Sequence, residues 1–140
     1  LATEDNLQRC QFLAGGLRSV VDIYHPTAIC AEYMSFPRNA SVAAKMAMAW
    51  GVIAAVSKLD QLPVLQVSPQ MLKLKAAGSR TASKADIAEA LEFAYPGQFE
   101  GFKKSYPATE REHGYDAVAS VVACLDSDLV KMARSMRNGQ

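Results

Sequence analysis

The segment TAICAEYM, residues 27–34, is a short run of mostly small and apolar side chains. Its length and composition predict a buried β-strand. A second such run, PVLQV, occupies residues 63–67. Between the two runs, an Ala- and Met-rich stretch begins after the capping residue Asn39 and predicts one long helix, to about residue 59. Two strands joined by a helix favour a right-handed parallel crossover, and therefore an α/β fold.

Helical spacing of apolar residues predicts the remaining elements. We expect helices over about residues 3–24, from Pro69 onward, from Lys84 to about residue 95, and from about residue 114, with a break near residues 126–128. Residues 96–112 are polar and aromatic and predict an irregular segment. The total is two short parallel strands and about five helices. Three glycines inside predicted helices are expected to mark close packing: Gly15, Gly16 and Gly51.

The composition is that of a globular protein, with 50% apolar and 21% charged residues and a net charge of +1. The most apolar stretch, residues 42–56, contains Lys45 and predicts a buried helix rather than a membrane span. No secretory signal pattern opens the chain. The three cysteines are far apart in the sequence and match neither a metal-ligand spacing nor a disulfide framework: Cys10, Cys30 and Cys124. We expect reduced, packed thiols in a cytoplasmic protein.

The predicted sheet is unusually small. A parallel sheet of two strands needs both faces covered and leaves two open edges, and sheets of that size are rarely stable alone. The chain also begins with Leu1 rather than Met. Both observations lead us to expect that further upstream strands belong to this fold.

Three residues could carry metal chemistry. Glu32 lies within the first predicted strand, where a buried carboxylate would need a cation, but at the strand's end it would simply meet solvent or a lysine. His113 and Asp116 are three residues apart and share one helix face. Imidazole and carboxylate are suitable ligands for a divalent metal. The alternative is that both face water near a helix start.

A basic stretch follows the second strand. Lys73, Lys75, Arg80 and Lys84 lie close together with no acidic residue among them. Such a stretch can bind phosphate groups, although it can equally be a solvated face.

Several of these segments, in order, resemble the RuvC family of Holliday-junction resolvases. AEYMSFPRNA at residues 31–40 is similar to the family segment in which a catalytic Glu ends a strand and an Asn, seven residues later, opens a helix. Further matches are Lys45 and Gly51 in that helix, LPV at 62–64, Lys73, Gly78 and Lys84 in a stretch like V-K-x-x-x-x-G-x-G-x-A-x-K, and HGYDAVA at 113–119. The spacing is family-like up to residue 90.

The resemblance implies an RNase H-like fold and one nuclease domain over residues 1–140, lacking its first strands. It implies a two-metal phosphodiesterase whose ligands would be Glu32, His113 and Asp116, with Mg²⁺ as the cofactor and Mn²⁺ as an alternative. Lys84, counted among the catalytic residues, and Lys73 would contact the DNA backbone or the phosphate under attack. The other implied DNA contacts are Lys75, Arg80, Arg38, Tyr33 and Phe36, of which the two aromatic residues would stack on exposed bases or else pack locally under the Pro37 turn.

The family's first strand carries an Asp that bridges the metals, and no such strand precedes the first helix here. Asp5 and Asp22 lie in a helical segment and cannot replace it. Three functions therefore remain open: a junction-resolving endonuclease, a catalytically incomplete junction-binding or assembly module, and a small α/β protein with no nucleic-acid role. Because a four-way junction is two-fold symmetric, the resemblance also implies a homodimer. The helix after Asn39, with Met46, Met48, Trp50 and Ile53, would supply that interface or simply belong to the core.

Overall fold

The computed structural model describes residues 2–34 and 37–138, with side chains for residues 5–34 and 37–136. Within them the chain forms two strands and seven helices. The strands are β1 (Ile29–Glu32) and β2 (Val64–Val67). The helices are α1 (Ala2–Tyr24), α2 (Ala40–Leu59), α3 (Pro69–Ala77), α4 (Lys84–Ala94), α5 (Glu100–Ser105), α6 (Ala108–Cys124) and α7 (Asp128–Asn138).

The two strands form a parallel sheet, as the crossover pattern predicts. The Ile29 amide donates to the Pro63 carbonyl at 2.9 Å, and the Tyr33 amide donates to the Val67 carbonyl at 2.8 Å. The donor and the acceptor are separated by the same number of residues in both bonds, as in a parallel pair of strands. Both strands are shorter than the apolar runs that predict them, and β1 ends at Glu32 itself.

The chain divides into two compact units. The first consists of Leu1–Ile29 and Met34–Val64, and the second of Cys30–Tyr33 and Leu65–Gln140. A single nuclease domain over the whole chain stays a prediction.

The first unit is a pair of packed helices, α1 and α2. Helix α1 ends before His25, which adopts a left-handed backbone with φ of 46° and precedes a proline. The Asn39 side chain accepts hydrogen bonds from two amides at the start of α2, which confirms the predicted cap. The Arg18 guanidinium of α1 bonds the Asp60 carboxylate, at the end of α2, at 2.5 Å.

Helix α2 is not the buried helix that its composition predicts. Val56 alone among its residues is buried, since α2 packs mainly against α1 in this unit. Helix α2 is also long and apolar enough to cross a membrane, by length and composition only. The composition of a helix shows how apolar it is but not which elements cover it, so the burial of α2 could not be predicted from its composition.

The second unit has its core between α3, α4 and α6. Ile87 and Leu91 on α4 are each only 1% exposed, and Leu72 on α3 and Ala119 on α6 pack in the same cluster. Capping fixes both shorter helices: the Ser68 hydroxyl accepts from the Met71 amide in α3, and Ser83 and Asp86 form a reciprocal capping box in α4.

The prediction that residues 96–112 form an irregular segment is wrong. It contains α5 and the start of α6, which begins at Ala108 rather than near residue 114. Tertiary packing explains the difference, because Phe99 and Phe102 both pack on the ring of Tyr115, with centroids 5.1 and 5.7 Å from it. The Arg111 side chain donates to two carbonyl groups at the end of α5 and so joins the two helices.

The three glycines expected to mark close packing do not. A Cβ atom built at Gly15, Gly16 or Gly51 would meet nothing within 4 Å. The close approach occurs instead at Gly114 of α6, where a Cβ would lie 2.8 Å from Cε2 of Phe102.

Candidate functional site

The candidate strand acid, Glu32, is the last residue of β1 and is exposed. Side chains two positions apart on a strand share one face of the sheet, so Glu32 lies on the same face as Cys30. Cys30 packs against the core of the second unit and neighbours Cys124 at the end of α6. The acid at the end of β1 therefore points to the side of the sheet on which α6 packs.

The candidate helix acid, Asp116, lies in the middle of α6 at the border of its buried face. Ser120 and Cys124, one and two turns further on, are both buried, whereas the Asp116 side chain keeps 22% of its surface exposed. The Ser120 hydroxyl donates to the Asp116 backbone carbonyl at 2.9 Å. His113 precedes Asp116 by three residues and is exposed. Since α6 begins at Ala108, neither residue is near the helix start, contrary to prediction.

Asp116 has a cationic partner. The Lys84 ammonium donates directly to the Asp116 carboxylate, across the contact between α4 and α6. Lys84 is the first residue of α4, where the positive end of the helix dipole disfavours a cation. The Asp116 carboxylate offsets this unfavourable interaction with the helix dipole, which explains why an ammonium is stable at this helix start.

The fit to a divalent metal is incomplete. Glu32 and Asp116 offer the oxygen donors that Mg²⁺ prefers, and Asp116 already holds a cation. Yet among the side chains described, those of residues 5–34 and 37–136, no group of three or more from His, Cys, Asp or Glu lies close enough to hold a metal ion. The predicted trio of Glu32, His113 and Asp116 is thus not assembled as one cluster, and no step through a metal is derived from it.

The predicted DNA contacts differ in their surroundings. Lys75 pairs with Asp126 at 2.7 Å, Lys73 is half-buried and Arg80 is exposed in the loop after α3. That loop starts at Gly78, whose φ of 74° is favourable only for glycine. Tyr33 is 54% exposed, just after Glu32. Arg38 is exposed in the first unit, and Phe36 lies outside the described residues.

A polar network next to α6 escaped sequence analysis. The Glu92 carboxylate accepts hydrogen bonds from the Tyr115 hydroxyl and from the Lys103 ammonium, the latter at 2.9 Å. The Tyr115 bond, followed by the Lys103 bond, lowers the pKa of Glu92. Burial, followed by Glu92, raises the pKa of Tyr115. Lys103 and Tyr115 lie 11 and 23 positions from Glu92, so no local pattern in the sequence links the three residues.

The cysteines are all free thiols. Burial raises the pKa of the Cys30 thiol to about 12, and the neighbouring Cys124 adds to the rise. A thiol with so high a pKa stays protonated at neutral pH and is a poor nucleophile or metal ligand. Cys30 is therefore a packing residue beneath the candidate site.

The comparisons with known proteins all point to the same family. A family model described as "Crossover junction endodeoxyribonuclease RuvC" matches residues 1–93. The match includes Glu32, Lys73 and Lys84 but ends before α6. Crossover junction endodeoxyribonucleases RuvC from Pseudothermotoga lettingae and Dehalococcoides mccartyi are 29% and 32% identical over 84 and 82 residues, or 60% and 59% of this chain.

The chain spans about half the length of these relatives, 52% and 49%. Among solved structures, T. thermophilus RuvC in complex with Holliday junction substrate superposes with a TM-score of 0.67 at 22% identity, covering 83% of this chain and 66% of that one. A second Thermus thermophilus RuvC structure gives 0.66 at 23% identity and covers 84% and 66%. The fold is thus RNase H-like, as the resemblance implied, and the chain belongs to the RuvC family.

Proposed function

We propose that this protein is a metal-dependent, structure-specific endonuclease that hydrolyses phosphodiester bonds in branched DNA, with the four-way junction as its substrate. The alternation of side chains along β1 supports the proposal, because it puts the acid that ends β1 on the side of the sheet where the helix carrying Asp116 packs. Glu32 shares its face with Cys30, which neighbours Cys124 of the helix that carries Asp116. Family membership over residues 1–93 supports the same conclusion.

In the proposed site, Glu32 and Asp116 are oxygen ligands of a divalent cation and His113 is a third ligand. The cation would be Mg²⁺, with Mn²⁺ as the alternative that tolerates the histidine. Such a cation, held by Glu32 and Asp116, would supply Lewis-acid chemistry for the hydrolysis of a phosphodiester bond. The protein's own contribution is to fix the two carboxylates on rigid elements, one at a strand end and one within a packed helix.

The proposed DNA contacts follow the basic stretch of α3 and α4. Lys73, Arg80 and Lys84 would bind phosphate oxygens and orient the DNA without reading its sequence. Arg38 and Lys75 are further contacts, although Lys75 must first leave Asp126. The exposure of Tyr33 supports base stacking rather than local packing for its ring, and the same role stays a prediction for Phe36.

We propose a homodimer, through the face of α1 and α2. Four residues of α2 are half-buried rather than buried, which supports an interface over a core role: Met46, Met48, Trp50 and Ile53. An apolar groove of about 370 Å³ lies between the two helices of this unit, with Phe12 81% exposed at its edge. Two copies joined by a two-fold axis would place two sites on a symmetric junction. A cytoplasmic location stays a prediction.

The second candidate is a junction-binding or assembly module that does not cleave. It is favoured by the lack, within the described ranges, of any cluster of three metal-ligating side chains. Such a module binds branched DNA in a salt-sensitive manner and leaves it intact. A role without nucleic acid is disfavoured by family membership.

Cleavage of labelled four-way junction DNA in Mg²⁺ or Mn²⁺ separates the candidates. The nuclease cuts the junction, and Asp116→Asn lowers the rate at least about a hundredfold because a ligand carboxylate is lost. Asp126→Asn is the matched control, since it removes another carboxylate paired with a lysine but outside the proposed site. Salt-sensitive binding with intact DNA establishes the second candidate, and no binding at all refutes both.

A further inference from the structure

An apolar groove runs along α6 in the second unit, on residues that the proposed nuclease site does not use. Its volume is about 520 Å³, which is as large as many ligand sites. Four residues of α6 and two aromatic residues between α4 and α5 form its wall: Val118, Val121, Val122, Leu125, Tyr95 and Phe99. Val121 is 46% exposed, so the groove is open to solvent and is not a closed core cavity.

The wall of the groove has the form of a helix-binding stripe. Its α6 residues lie at helical spacing from Val118 to Leu125, which makes one continuous apolar stripe along two turns. Val118 and Val122 also pack against the buried core, so the stripe is held in place before anything binds. A long, shallow apolar stripe suits the apolar face of another helix better than it suits a compact ligand.

The rim of the groove is positive. Arg134 of α7 is exposed, and among the described residues that line the groove it is the charged one. Lys131 lies one turn earlier on the same side of α7 and is also exposed. Helix α7 has three basic residues and one acidic residue. Asp126, just before α7, is already paired with Lys75 at 2.7 Å.

Shape and charge together select the occupant. DNA phosphates would suit Lys131 and Arg134 but would leave the valine wall exposed to water. A second copy of this chain, placed by a two-fold axis, would bring two positive α7 helices together. We therefore propose that the groove binds an amphipathic helix of a partner protein, with aliphatic side chains on the α6 wall and acidic residues facing Arg134 and Lys131.

The test is fluorescence anisotropy with labelled helical peptides of about four turns, stapled because so short a helix is marginal alone. The peptides carry Leu, Ile or Phe at helical spacing on one face, and either Glu or Lys on the other. At least one Glu peptide should bind with a Kd below about 100 µM. The matching Lys peptide should bind at least about tenfold more weakly, because it meets the positive rim.

Two variants separate the wall from the rim. Val121→Gln should weaken binding of the Glu peptide at least about tenfold, because the peptide would bury an amide without a partner. Arg134→Glu should favour the Lys peptide instead, and this reversal should fade in about 0.5 M salt. Lys104→Glu is the control, since it makes the same charge change at an exposed residue outside the groove and should alter the Kd less than about twofold. Circular dichroism checks that each variant is folded.

The inference is overturned if no Glu peptide binds, or if folded Val121→Gln binds the Glu peptide as the wild type does. Loss of duplex DNA binding in Val121→Gln would make DNA the occupant, and conversion of a dimer to a monomer by the same variant would make it a second copy. Either result also overturns the inference. None of these readouts involves junction cleavage, so the groove and the nuclease can fail separately.

Discussion

Gly114 offers the sharpest test of how α6 is held in place. It lies between His113 and Asp116, and a Cβ atom at this position would clash with the tip of the Phe102 ring, 2.8 Å from Cε2 and 3.2 Å from Cε1. The half-buried ring also packs on Tyr106 and Tyr115, with centroids at 5.3 and 5.7 Å, so a shift of the ring disturbs those contacts. Gly114→Ala therefore forces either Phe102 or the helix to move.

The magnitude follows from two opposing effects. Overpacking a filled site costs about 1–3 kcal/mol, whereas Ala is more stable than Gly inside a helix by about 1 kcal/mol. We expect Gly114→Ala to lower the free energy of unfolding by about 1 kcal/mol. Gly101→Ala in α5 is the control in the same unit, because its Cβ meets nothing within 4 Å. The control should leave the protein as stable as the wild type or more stable by up to about 1 kcal/mol.

The assay is urea unfolding followed by circular dichroism at 222 nm, with equal slopes required of all variants. Adding Gly114→Ala to Phe102→Ala should be harmless, because the clash has been removed and only the helix gain remains. A Gly114→Ala variant at least as stable as the Gly101→Ala control would refute the packing of α5 on α6.

Three further outcomes are expected. Leu91→Ala should lower the free energy of unfolding by about 2–5 kcal/mol in the same urea assay, since Leu91 is 1% exposed in the core; a loss below 1 kcal/mol would contradict that burial. Glu92→Gln should destabilise the protein at pH 7. The stability that the lowered pKa of Glu92 contributes is complete above the unfolded-state pKa and is lost as the pH falls through the folded-state pKa, so the deficit should vanish in unfolding curves taken down through that range, and a deficit that persists in acid would contradict the assignment. Lys73→Gln should weaken junction binding and reduce the slope of log K against log salt by about 1 in filter-binding assays, whereas an unchanged slope would remove Lys73 from the phosphate contacts.

Local sequence signals predicted most of the elements correctly. Asn39, Ser68 and Ser83 each bond amides at a helix start, and such caps act over three or four residues. Both strands appear where short apolar runs predicted them, and the parallel register follows from the helix between them. These features could be derived because their causes lie within one turn or one connection of the chain.

The features that failed depend on distant residues. Residues 96–112 look irregular because their aromatic side chains are spaced for a partner, Tyr115, that the segment itself does not contain. The exposure of α2 escaped prediction because an apolar composition does not say what covers the helix. The Lys84–Asp116 contact joins residues 32 positions apart, and no local pattern encodes it.

The two halves of the candidate site have different support, and the Lys84–Asp116 contact is what connects them. Glu32 and Lys84 lie within the 93 residues that match the family model, whereas His113 and Asp116 lie beyond it. Taken alone, the H-x-x-D pair on α6 would be an ordinary polar patch. Its Asp116, however, is held by a lysine from the matched segment, at a helix start where a cation without a partner would be disfavoured. The Asp116 carboxylate supplies the counter-ion that a lysine at this position of a helix favours. That contact, rather than the motif, is what supports the proposal that Asp116 belongs with the matched segment, and the proposed role of His113, exposed on the same helix, depends on that of Asp116.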